Sequence, residues 1–417
     1  MINDLNKHEI MLSVPFVNSS EYIDFLSELS DKQPPDGNKI YEVYGSLPQD
    51  LVGNLRPPDS VPPMTLAQLE DNIAKLHKHG IKFNYVMNSE LLPIPLSEEY
   101  IYRIIKLLKK LSDIGIDEVT ATLPLIISII KRHFPNLKIN ASICAEISTV
   151  REAVEFEELG ADVLVLDRDI NRDFPLLRKI RSRFSGGMKV LCNSACVFHC
   201  INVHYHSTYS SALTNSSLMG LETGKSVFGI PHCNFYCRRR FFSDPAELIK
   251  LHWIRPEDMP VYAAEGITMF KIDGRDKEPE YLKTIITAYL NGHYDGNLLH
   301  LLQPEFCSDI SLITPSEEPR SGNKNDPAVL DKQTEAFLAE AEEWRVGIDN
   351  RDLDGFIDAL ASGKVVCSGD CGICGYCGKY ADKIHIDPVW QKKMVKLMDY
   401  NLDRYYGRTG SEIISAQ

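Results

Sequence analysis

The sequence predicts an α/β chain built as a TIM-type (β/α)8 barrel, and three observations predict it. Short apolar runs alternate with helix-period segments from residue 8 to about residue 290. The runs number eight, which favours closure into a barrel over an open doubly wound sheet. The alternation is broken once, after the seventh run, by a long cysteine-rich stretch, and an insertion there lands on the face where barrel enzymes keep their chemistry.

The elements follow in order. EIMLSVPFV from Glu9, IYEVYG from Ile40 and IKFNYVMN from Ile81 read as the first three strands, rich in β-branched and aromatic residues. TLAQLEDNIAKLHKHG fills the second crossover as a helix, with Thr65 placed to cap it and Gly80 to stop it. SEEYIYRIIKLLKKLSDIG fills the third. DEVTAT from Asp117, LKINASIC from Leu137, ADVLVL from Ala161, MKVLCNS from Met188 and ITMFKI from Ile267 complete the eight. The barrel is thus expected over 1–300, with a cysteine-rich insertion at 192–240. PSEEPRSGNKNDP from Pro315 marks a linker over 301–330. A small cysteine-rich helical extension is expected over 331–417, with helices at AFLAEAEEWRVG and VWQKKMVKLMDYNLDRYYG.

Composition narrows the function. A net charge of -13 disfavours a broad nucleic-acid footprint. No window approaches the roughly 20 apolar residues of a membrane span. MINDLNKHEIMLSV carries early acids and no long apolar stretch, so a cytoplasmic location is expected. In a reducing compartment, clustered thiols point to metal binding or catalysis rather than to disulfides.

Nine of the 11 cysteines fall into two groups, leaving Cys144 and Cys307 alone. Cys196-x3-Cys200 with Cys233-x3-Cys237 makes a four-thiolate set on two short segments, with Cys192 as a spare or a buried thiol. Four soft anionic ligands in spaced pairs suit a 4Fe-4S cluster; zinc is the rival, although zinc sites favour tighter Cys-x2-Cys knuckles. Cys367, Cys371, Cys374 and Cys377 supply four ligands within a glycine-rich run, fit for a second 4Fe-4S cluster or a structural zinc. The Cys367-x3-Cys371-x2-Cys374 spacing also matches that of radical S-adenosylmethionine enzymes. Here it follows the barrel, and Cys377 would close the open iron which that chemistry needs.

Around the first group stand Arg238, Arg239 and Arg240, whose guanidinium forks suit carboxylate or phosphate, or could face solvent or neutralise a cluster. His199 and His232, with His204 and His206, crowd the same segment as candidate proton donors or ligands. Asn88 and Asn193 sit at the ends of the third and seventh strands, where an amide can orient a substrate carbonyl or hydroxyl. Glu42, Asp167, Arg168 and Asp273 lie at or near strand ends too. Lys271 and Arg275 could bind an anion or hold the barrel closed by salt bridges, and the structural role is preferred for Lys271.

The segment KIDGRDKEPEYLKTIITAYLNG, from Lys271 to Gly292, resembles the end of the barrel in peptidase family U32, the collagenase-like peptidases. Cys233, Cys237 and Arg238 match that family's Cys-x3-Cys-Arg pair, and LGADVLVLDRDINRDFP resembles its Gly-Ala-Asp strand. The resemblance covers about residues 8 to 292. It departs at Cys196 and Cys200, which are three apart where many members have six.

The resemblance implies an oxygen-independent hydroxylase. The better understood relatives act on a ubiquinone precursor or on RNA bases, each with a 4Fe-4S cluster on four cysteines and prephenate implicated as oxygen source. It implies roles for Arg238, and for Arg239 and Arg275 as anion contacts, on a small molecule or a peptide. An electron donor and a homologous barrel as heterodimer partner are further implied. Three alternatives stand beside it: a non-catalytic electron-transfer or scaffold partner, a collagenase-like peptidase, and a radical S-adenosylmethionine enzyme. The sequence shows neither a Gly-x-Ser-x-Gly elbow nor a His-Glu-x-x-His pair for proteolysis.

Overall fold

The computed structural model describes residues 9–34, 36–56, 63–92, 96–215, 232–302, 345–367 and 369–406. Eight parallel strands close in sequence order: β1 Met11–Pro15, β2 Lys39–Gly45, β3 Lys82–Met87, β4 Glu118–Ala121, β5 Lys138–Ala141, β6 Val163–Val165, β7 Gly187–Leu191 and β8 Met269–Lys271. The last edge pairs with the first through Met11 opposite Met269 and Ser13 opposite Lys271. Six strands lie inside their predicted runs, and β2 and β7 each begin one residue earlier, at Lys39 and Gly187.

The crossover helices form where periodicity and caps agree. α1 is Ser20–Lys32, capped by Ser19. α2 is Leu66–Lys78, where Thr65 and Gln68 form the reciprocal pair of a capping box and the chain leaves through Gly80 at φ 70°. α3, Glu98–Asp113, is capped by Ser97 and buries Ile104, Leu108 and Leu111 on the face that spacing of three and four residues predicts. α4 Pro124–His133, α5 Val150–Leu159 and α6 Phe174–Arg181 complete the outer ring up to β7.

The barrel interior departs from the aliphatic filling usual for this architecture. Ser13, Glu42, Asn84, Glu118, Thr120, Asn140 and Lys189 are all buried there. Lys189 Nζ donates to Glu42 at 2.5 Å and to Asn140 Oδ1 at 2.9 Å. Ser13 and Asn84 also donate to Glu42, and Asn140 Nδ2 donates to Glu118 at 2.7 Å. Burial opposes ionisation of Glu42, but Lys189 wins and holds its carboxyl below the usual range. Burial and the Glu42 charge push Glu118 up. Glu42, expected near a strand end, is therefore a mid-strand core residue and not a rim residue.

Between β7 and β8 the insertion supplies α7 Val203–Asn215 and α8 His232–Ser243. α7 lies across the C-terminal mouth of the barrel. Asn215 Nδ2 donates to Val52 O, Ser89 Oγ and Leu91 O, each at 3.0 Å, and Ser211 Oγ accepts from Glu90 N. Gly53 makes this docking possible: its φ is 83°, and a Cβ there would stand 2.2 Å from Asn215 Oδ1. Gly53→Ala is expected to cost about 1–3 kcal/mol through backbone strain and the lost docking. A lowered denaturation midpoint with faster hydrogen exchange in α7 checks it, and unchanged exchange would refute the docking role.

The extension packs back on the insertion. Its last helix, Pro388–Tyr405, runs along α8, with Phe242 edge-on to Trp390, as the sequence predicts for this segment. A second expected helix, AFLAEAEEWRVG, and the 301–330 linker lie almost wholly outside the described residues. Among the described residues no helix is long and apolar enough to cross a membrane.

Candidate functional site

The first four cysteines reach the barrel mouth from two elements. Cys196 and Cys200 lie on the loop leaving β7, while Cys233 and Cys237 stand one turn apart on one face of α8. Burial pushes the Cys233 thiol up to about 11 and Cys237 to about 12, and in both the neighbouring thiols add to the effect. Cys200, Cys233 and Cys237 are thus within electrostatic reach of Cys196, and these three raised thiols stay protonated until a cation displaces their protons. Arg168, in the short 3-10 turn after β6, has its pKa raised chiefly by Cys196. Cys192 is fully buried in the core, as its alternative reading had it.

The second group gathers against the side of the insertion. Cys367, Cys371 and Cys377 are each held up by burial and by charge on their fellow cysteines. Arg172 supplies the matching cation. It is buried at 2 % exposure between the rings of Trp253 and Phe356, and its Nη1 lies 3.9 Å from Cys377 Sγ. Its Nε and Nη2 have no hydrogen-bond partner among the described residues. A buried guanidinium is costly unless an anion faces it. Four thiolates around zinc or an iron-sulfur core carry net negative charge and would satisfy it.

Among the described residues no three His, Cys, Asp or Glu side chains are already arranged to hold a single ion. A polynuclear cluster spreads its thiolates wider than one zinc ion does. Each set offers four thiol donors of the kind that zinc and iron-sulfur clusters both take, and the second set faces a buried cation with two unpartnered nitrogens among the described residues.

Beneath α7 the mouth gathers side chains of both charges. Lys271 ends β8 at 8 % exposure with its Nζ 4.0 Å from the centre of the Tyr44 ring. Burial and the Lys189 charge hold its amine down at about 8. Cys144, on the turn after β5, accepts a 3.5 Å contact from Asn88 Nδ2 and lies within electrostatic reach of Lys271 and Arg168. Asn88 Oδ1 and Arg168 Nε are buried and unpartnered among the described residues. Arg56 pairs with Asp273 and Asp276, both at 3.2 Å. Arg275 is buried near Tyr44 and contacts Ser46, on the rim of a cleft lined by Phe16, Asn54 and Met64.

Several expected site residues prove to be committed elsewhere. Asn193 clamps the ends of β7 and β8, donating to Asp273 O at 2.9 Å and accepting from Asp273 N at 2.7 Å, so its amide is spent on backbone. Arg239 is paired with Asp399 on the last helix, and Arg240 with Glu247 at 3.0 Å. His232 packs against Tyr405 and Tyr406 of the extension rather than the mouth. His199, at φ 47°, rests on Asp169 and on the Phe198 ring. Arg238 lies beside Cys237, where the family resemblance puts it. Cys144 and Arg172 were not legible as site residues, because each is isolated in sequence and acquires neighbours only through the fold.

A sequence profile of peptidase family U32 matches residues 42–294. An uncharacterized protease of Methanocaldococcus jannaschii is 28% identical over 347 residues, which span 82% of this chain and 88% of that protein. Among solved structures, a U32 peptidase aligns at 18% identity and TM-score 0.45, covering 66% of this chain and 96% of its own. The YdjI aldolase of Escherichia coli K12 aligns at 11% identity and TM-score 0.31, over 52% of this chain and 94% of its own. With the profile covering more than half of the sequence and the KIDGR segment inside the matched span, the chain belongs to peptidase family U32.

Proposed function

We propose that this U32 protein is an iron-sulfur enzyme that hydroxylates a small molecule or peptide without molecular oxygen. On this reading it takes the oxygen from an organic dicarboxylate such as prephenate. The observation that carries the reading is the approach of Cys196, Cys200, Cys233 and Cys237 to one another at a covered barrel mouth that also holds the buried cations Lys271 and Arg168. A bound cluster would supply a soft metal site and an electron at that mouth. Lys271 and Arg168 would hold carboxylates as charge-assisted donors. Asn88 Oδ1 would accept from a substrate hydroxyl, since it has no other partner among the described residues. α7 would exclude water above them. The C-terminal cysteines would hold a second cluster, or zinc, with Arg172 as counter-charge. An external electron donor and a homologous barrel as partner belong to the same proposal.

The name of the archaeal relative favours a peptidase instead. That reading needs an activated nucleophile, and Cys144 at the mouth has Asn88 and Ser142 beside it, with burial raising its thiol. Iron, acid-labile sulfide and zinc per chain on anaerobically purified protein separate the readings. About eight irons are expected in the parent and about four in a Cys233→Ala/Cys237→Ala variant. Zinc without iron, or cleavage of unfolded collagen by the metal-free chain, would overturn the hydroxylase reading.

A further inference from the structure

The two cysteine groups are joined by aromatic rings. Phe198 lies in sequence between Cys196 and Cys200, and its ring stacks on His252 with centroids 4.2 Å apart and planes 25° apart. His252 is buried at 4 % exposure, and its Nε2 stands 3.9 Å from Cys367 Sγ of the second group. On the other side of Phe198, His199 sits 4.1 Å away, centroid to centroid, and is bonded in sequence to Cys200. The second group closes on the same stack: Gly369, at φ 80°, is so near that an added Cβ would stand 3.4 Å from His199 Nε2. The path from Cys367 thus runs by van der Waals contact through His252 to Phe198, and from Phe198 along the short covalent chain to Cys196 and Cys200. The insertion after β7 and the C-terminal extension, far apart in sequence, meet at these rings.

The second group also has an outward side. Cys374 is exposed, and Ile373 beside it is 86 % exposed. Cys233, in the first group, is buried. The first group has an exposed thiol too, Cys196, so it is position that separates the two: Cys196 and Cys200 stand on the loop leaving β7, at the mouth, and the second group stands on the extension away from the strand ends.

We propose that the Phe198–His252 stack is the route by which electrons pass from the C-terminal cysteine centre to the barrel-mouth centre. The inference rests on the reading that both groups hold iron-sulfur clusters. In each transfer the C-terminal centre loses one electron and the mouth centre gains it. A small one-electron donor protein of the flavodoxin or ferredoxin class, docking at the Ile373 side, then restores the first. No bond forms or breaks and no proton is required. Electron tunnelling weakens steeply across gaps, so a filled ring path between the centres outcompetes a route through water. Phe198 and His252 act here by carrying charge between groups, not by touching substrate.

The test uses the full chain, reconstituted anaerobically and mixed with reduced flavodoxin, with rapid-freeze electron paramagnetic resonance following each centre. In the parent the C-terminal signal should appear first and the mouth signal should follow in a fast phase. Phe198→Leu keeps the bulk and removes the ring. It should retain the parent's iron and the early C-terminal signal while losing the fast phase at the mouth, and Phe198→Tyr should restore it. Cys371→Ala/Cys374→Ala should leave the mouth iron in place yet unreduced by flavodoxin. Equal mouth kinetics in parent and Phe198→Leu, with both centres loaded, would overturn the relay alone. A parent with zinc or no metal at the C-terminal centre would overturn the relay together with the two-cluster reading.

Discussion

Lys189→Met is expected to be the most damaging single substitution in the barrel. It removes the cation that faces Glu42 at 2.5 Å where both side chains have 1 % exposure or less. The carboxylate cannot follow water out of the core, because Ser13 and Asn84 hold it in place. Breaking one side of a buried pair in this way costs about 3–5 kcal/mol, far more than the pair itself contributes against apolar residues of equal size. Glu42→Gln in the same chain keeps an acceptor for Ser13 and removes the stranded charge, so the double variant should recover part of the loss. Urea midpoints of the parent, each single variant and the double variant, at matched metal content, measure the coupling. The pair also sets an acid limit. Glu42's carboxyl is held below its unfolded value, so this stabilisation is present above the ordinary carboxylate range, near 4.3, and fades as pH falls through the depressed value. Additive costs for the two single variants would show that the pair is not coupled.

Lys271→Met should do the opposite to stability and remove function. The folded chain binds the Lys271 proton less tightly than the unfolded chain does, with the amine held at about 8 against 10.5. Stability is therefore lowest below about pH 8 and rises from there towards pH 10.5, where the unfolded amine also loses its proton. That gap corresponds to roughly 3 kcal/mol at neutral pH. Replacing the amine with methionine should raise the midpoint by that amount at pH 7 and abolish the rise between pH 8 and 10. In the same variant, binding of a dicarboxylate at the mouth, followed by calorimetry, should fall at least tenfold, the equivalent of one lost charge-assisted contact of about 1.4 kcal/mol. Such exchange of stability for function is common where a binding site keeps a charge without its ligand. A destabilised Lys271→Met protein would mean that the ammonium is a structural cation, as the sequence alone suggested.

The eight strands were legible because each is a short apolar run with a helix signal on both sides. Thr65 and Gly80 act at the helix ends where the pattern puts them. The interior chemistry was less legible. Glu42 and Lys189 are 147 positions apart, and nothing in either neighbourhood announces a partner. The site divided along similar lines. The cysteines were visible because metal ligands come in short-range pairs, whereas the run Arg238 to Arg240 looked like one feature. A helix turns each successive residue by about 100°, and so it sends Arg239 to Asp399, Arg240 to Glu247 and only Arg238 towards the thiols. Asn193 was placed correctly at the rim, but the neighbouring strand end used its amide first.

The hydrogen-bonded filling of the barrel constrains how such a chain can change over time. An aliphatic interior tolerates exchange one position at a time, since volume can be shared among neighbours. Here Ser13, Glu42, Asn84, Asn140 and Lys189 share donors and acceptors across five different strands. Altering one leaves another unsatisfied, so neutral drift through the interior requires paired steps with an unstable intermediate. Divergence is then channelled outward, to the helical shell and the loops over the mouth. Those are the places where a new substrate can be accommodated without disturbing the frame.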